Sequence, residues 1–87
     1  MSGVRTRIKV CGITSPHDAE LAASLGADAV GLIFAESPRR IDVRRAQEIV
    51  RALPPFVTAV GVFVDAPAAG VAKVAEDVGL GAGQLHG

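Results

Sequence analysis

Ala29-Val30-Gly31-Leu32-Ile33-Phe34 is an unbroken apolar run. A strand with one wet face alternates polar and apolar residues, whereas a strand covered on both faces of a parallel sheet does not. The run therefore predicts a buried strand over 29–34, and its neighbours should supply the cover. Downstream, Ala35-Glu36-Ser37-Pro38-Arg39-Arg40 is a polar loop, Asp42 offers a helix cap, and Val43, Ala46, Ile49, Val50 and Leu53 fall on one helix face. Pro54-Pro55 ends that helix. A strand over 58–64 follows, then Asp65 and Pro67 begin a third helix with Val71, Val74, Ala75 and Val78 at spacings of three and four. Gly79 closes it, and 82–86 predicts a last strand. Upstream, Ser15-Pro16-His17-Asp18 places a cap, a proline at the first helical position and an acid three residues beyond the cap, with Gly26 as the stop. Before it, Arg7-Ile8-Lys9-Val10-Cys11 alternates with period two and ends at Gly12, predicting a strand over 7–11.

Strands and helices thus alternate as βαβαβαβ, which defines an α/β chain with parallel strands and right-handed crossovers. Residues 25–32 and 78–85 repeat the order helix end, glycine, tight loop, strand. Nothing between elements has the composition of a linker, so residues 1–87 are expected to form a single unit. That unit corresponds to half of a TIM (β/α)₈ barrel, since a complete barrel takes roughly 200 residues or more. Its first and last strands would expose unpaired backbone groups. The expectation is self-association through these open edges or partial disorder of the isolated chain, or pairing with a complementary carboxy-terminal half.

Composition excludes several classes of function. Nine basic and nine acidic residues leave zero formal charge, which argues against a nucleic-acid or membrane-surface partner. No apolar run approaches the roughly 18 residues of a membrane span, and the first residues lack a secretory signal, so the expected location is cytoplasmic. The single cysteine, Cys11, cannot form an internal disulfide. With three Phe and no Trp or Tyr, stacking platforms for bases or sugars are not expected.

Alternation along the first strand puts Lys9 and Cys11 on one side and Ile8 and Val10 on the other. In a barrel the apolar side meets the helices, leaving Lys9 directed inward and Cys11 at the rim where barrel enzymes keep their active sites. A thiol needs a nearby positive charge to act as a base, and Lys9 is a candidate supplier. On composition alone, a lone cysteine reads first as a packed core residue. Arg39 and Arg40 read as solvated loop charges, His86 equally as a strand-end group bonded to backbone or as a substrate contact, and His17 as an exposed first-turn residue. Cys11, His17 and His86 lack metal-ligand spacing, so no metal is expected. A cysteine hydrolase built on Cys11 and His86 is disfavoured by the absence of a nucleophile-elbow or oxyanion-loop pattern.

Five ordered segments resemble one family. Lys9-Val10-Cys11-Gly12-Ile13-Thr14, residues 26–34, Ser37-Pro38-Arg39-Arg40-Ile41, Val60-Gly61-Val62-Phe63-Val64 and Gln84-Leu85-His86-Gly87 are similar in order and spacing to successive segments of the phosphoribosylanthranilate isomerases. The resemblance implies a (βα)₈ barrel without metal or organic cofactor. It implies a phosphosugar substrate, N-(5-phosphoribosyl)anthranilate, converted to the aminoketose by an Amadori rearrangement in tryptophan biosynthesis. Cys11 would be the general base, Arg39 the contact to the anthranilate carboxylate, and Gln84 and His86 pocket residues of the fourth strand. Arg40 is an alternative to Arg39 if the loop register shifts by one. The family's general acid is an aspartate on a later strand, and barrel phosphate sites follow the seventh and eighth strands. Neither has a counterpart in these residues, so the chain alone is expected to be inactive.

Overall fold

The computed structural model describes residues 7–80 and the backbone of the strand at 82–86. Seven elements follow in order: β1 (Lys9–Cys11), α1 (Pro16–Ser24), β2 (Ala29–Ile33), α2 (Val43–Ala52), β3 (Thr58–Val64), α3 (Ala68–Val78) and β4 (Ala82–His86). The strands form one sheet in the order β1-β2-β3-β4, every neighbouring pair parallel. Each crossover is a helix, as parallel pairing of consecutive strands requires.

Registration sorts the strand residues into two faces. Val10, Val30 and Ala59 are partners along one row, and with Leu32 and Phe63 they point under the helices. Val30 and Leu32 are fully buried there, joined from the helix layer by Ala19, Ala22, Ala46, Ile49 and Val78. Gly61 lies in this face because Leu80 and Phe63 fill its side-chain space: a Cβ on Gly61 would stand 2.6 Å from Leu80 Cδ1. The opposite row runs Cys11, Gly31, Val60 and Ala82 by register. Its described members on β1 and β3 are exposed or half-buried, as befits the inner wall of an open curl.

Helix ends follow the sequence signals. Asp18 N–H donates to Ser15 Oγ at 3.1 Å and Arg45 N–H to Asp42 Oδ1 at 2.8 Å, so both expected caps form. Gly26 and Gly79 take left-handed φ of 95° and 85° past the ends of α1 and α3. The start of α3 differs from expectation. Its N-cap is Pro67, with no side-chain bond, and Asp65 stands two residues earlier at φ 53°. Proline has fixed the entry angle, leaving Asp65 to make the turn out of β3.

β1 is also shorter than the expected 7–11. The Ile8 carbonyl accepts from both Asp28 and Ala29 N–H, at 2.8 and 3.2 Å, and Ile8 N–H donates to the Asp28 carboxylate at 2.8 Å. A side chain has replaced the ladder partner, so regular pairing begins at Lys9. At the far end of β2, Phe34 N–H still donates to Val62 O at 3.0 Å, although the regular strand stops at Ile33.

Candidate active site

At the C-terminal end of β1 the chain leaves the strand through a tight turn. Gly12 and Ile13 both donate their N–H to the Gly31 carbonyl, at 3.0 and 3.2 Å, and Gly12 adopts φ +82° to do so. One backbone oxygen of β2 therefore pins the end of β1. Cys11, immediately before this turn, is exposed on the inner face. The packed-core expectation for the cysteine does not hold, because helix cover falls on the other side of β1, where Val10 joins the core.

Across the strand pair, Cys11 is registered with Gly31. A Cβ on Gly31 would lie 2.5 Å from Cys11 Sγ and 3.2 Å from Cys11 Cα. The thiol thus occupies the space a side chain on β2 would take.

The two arginines of the β2–α2 loop diverge. Ser37 Oγ accepts from Arg39 N–H at 3.1 Å, turning the loop back toward β1. The Arg39 stem then lies on Gly12, whose missing Cβ would meet Arg39 Cδ at 2.7 Å, and Nη1 makes a long 3.4 Å bond to Gly12 O. Arg40 instead pairs with Glu36 at 3.1 Å, both side chains largely in water. Such an exposed pair contributes little stability, but it does draw Arg40 into its own loop. The loop geometry thus puts the Arg39 stem against the residue that follows Cys11 and sends Arg40 elsewhere.

Lys9 is exposed one pleat before Cys11, on the same face. His17 is exposed in the first turn of α1. Gln84 and His86 are paired by backbone register with Val62 and Val64, and their side chains lie outside the described residues. Among the described residues, no group of three His, Cys, Asp or Glu side chains could hold a metal.

A groove of about 330 Å³ runs beside β1 from Arg39 and Cys11 to Leu21 and Leu25 of α1. Ile8, Leu21 and Leu25 are exposed along it.

Sequence reasoning missed Gly31 as a neighbour of Cys11. A glycine inside an otherwise apolar strand signals close approach by another group, and that signal was present in the run at 29–34.

The family model described as N-(5'phosphoribosyl)anthranilate (PRA) isomerase matches residues 8–87. The chain belongs to this isomerase family. A Pseudomonas aeruginosa N-(5'-phosphoribosyl)anthranilate isomerase is 56% identical over 82 residues, covering 93% of this chain and 39% of its own. A Rubrobacter xylanophilus member is 58% identical over 82 residues, with 93% and 40% covered. The crystal structure of phosphoribosyl anthranilate isomerase from Thermotoga maritima superposes with a TM-score of 0.93 at 46% identity, covering 95% of this chain and 41% of that one. A phosphoribosyl anthranilate isomerase solved in complex with reduced 1-(o-carboxyphenylamino)-1-deoxyribulose 5-phosphate gives the same TM-score, identity and share of this chain. The chain spans about 40% of the length of these family members. No helix among the described residues is long and apolar enough to cross a membrane.

Proposed function

We propose that these residues form the first half of a phosphoribosylanthranilate isomerase barrel and carry the base of its Amadori rearrangement. The observation behind this is the exposed Cys11 thiol on the inner face at the exit of β1, with the Arg39 stem laid over the next residue. In the proposed reaction the opened sugar carries a protonated imine at C1. Cys11 removes the C2 proton, the C2–H electrons become the C1–C2 double bond, and the imine electrons return to nitrogen. Ketonisation at C2, with a proton added at C1, then yields the aminoketose. Lys9 stands on the same face one pleat earlier and is proposed as support for Cys11. Arg39 presents a planar guanidinium suited to the anthranilate carboxylate. Gln84 and His86 are proposed as further substrate contacts, without metal or organic cofactor.

The relative solved with reduced 1-(o-carboxyphenylamino)-1-deoxyribulose 5-phosphate supports this substrate class. A fusion of residues 1–87 to the remaining strands of the Thermotoga maritima relative tests it. Cys11→Ser in that barrel is expected to lower kcat by about 10² to 10⁴-fold. Full activity of the serine variant would refute the assignment of the base. The 87 residues by themselves are expected to show no turnover.

A second reading is supported by the open edge of β1: a half-barrel that associates through its strand edges, with itself or with a carboxy-terminal half. Ile8, Leu21 and Leu25 are apolar and exposed there, and one solved relative consists of monomers made from the dimeric phosphoribosylanthranilate isomerase of Thermotoga maritima.

A further inference from the structure

We infer that Gly31 is the positioning residue of the Cys11 thiol, a role that rests on Cys11 being the base. Two independent features of Gly31 converge on the end of β1. Its carbonyl accepts from both Gly12 and Ile13 N–H, at 3.0 and 3.2 Å, which fixes where the backbone after Cys11 turns. Its missing side chain leaves the space that Sγ occupies, since a Cβ there would stand 2.5 Å from the sulfur.

The consequence is a sulfur that leans from β1 across β2, not one that rotates freely above its own strand. Any larger residue at 31 reclaims that space. The thiol can yield by turning about χ1, because its sulfur is the end of a rotatable group. The 3.2 Å approach to Cys11 Cα requires only a small adjustment of the strands. Gly31→Ala therefore moves the base while retaining the sheet.

Gly61 provides the control. It lies on the neighbouring strand in the helix-facing row, where an added Cβ would press on Leu80 and Phe63 and not on Cys11. Gly61→Ala disturbs packing without touching the thiol.

The test uses the completed barrel, with three-bond couplings of the Cys11 Hβ protons as a direct report of χ1. The unsubstituted protein is expected to show one dominant rotamer and Gly31→Ala a different one, whereas Gly61→Ala retains the original. In turnover, Gly31→Ala is expected to lose about 10²-fold in kcat, the scale of an ångström's misplacement, with KM within about twofold. Averaged couplings in the unsubstituted protein, or couplings unchanged by Gly31→Ala, overturn the proposal even if the variant proves difficult to fold. An equal kcat loss in Gly61→Ala overturns it too, because general destabilisation then suffices. Cys11→Ser separates this from the reading beneath it: if serine retains activity the base assignment falls, whatever the couplings report about Gly31.

Discussion

Arg39 and Arg40 are adjacent, carry the same charge and are indistinguishable by composition. The loop separates them by giving Arg39 a glycine to lie on and Arg40 a glutamate to pair with. In the completed barrel, Arg39→Ala is expected to lower kcat/KM by about 10 to 100-fold, the range of a lost charge-assisted hydrogen bond. Arg40→Ala should stay within about twofold, and steady-state kinetics on both variants decides between them. A larger loss at Arg40 would mean that the Glu36 pair opens when substrate arrives. At this scale the alternation of β1 was legible, because period two needs only local sequence. The seating of Cys11 over Gly31 was not, since it depends on which residue of a distant strand comes into register.

Elements were legible where their signals are chemical. Ser15 and Asp42 each carry an oxygen that satisfies an otherwise unpaired N–H of a first turn, and both caps form. Asp42→Ala should cost about 1 kcal/mol, measured by denaturant unfolding. α3 starts later than the expected Asp65, because Pro67 sets its entry angle as the N-cap. With φ at 53°, Asp65 holds a conformation that glycine adopts without penalty. Asp65→Gly is thus expected to leave stability unchanged or slightly raised, and an equal loss in both variants would show that Asp65 bonds like a cap in solution. β1 was overestimated at its start because Asp28, twenty residues away, takes over the Ile8 N–H. Strand propensity carries no information about such a distant carboxylate.

For the molecule as a whole, the apolar run at 29–34 was decisive. Demanding cover on both faces led to the parallel sheet, and the alternating helices gave its order. The register that aligns Cys11, Gly31 and Val60 in one row required the folded chain. The β1 edge remains apolar, with Leu25 76% exposed and Ile8 and Leu21 about half so. The purified 87 residues are therefore expected to associate, and light scattering after gel filtration should give a mass above the 8.9 kDa monomer. A monomeric peak with cooperative melting would show that this edge tolerates water.

The same edge sets an order of events at the ribosome. In family members of which this stretch forms about two fifths, the seam of Ile8, Leu21 and Leu25 belongs to the part synthesised first, and a (β/α)₈ barrel closes only once its last βα unit has been made. At roughly 5 to 20 residues per second, it stays bare for on the order of ten seconds. Nascent-chain pull-down with a holdase should therefore capture stalled intermediates, and Leu21→Gln with Leu25→Gln should weaken that capture.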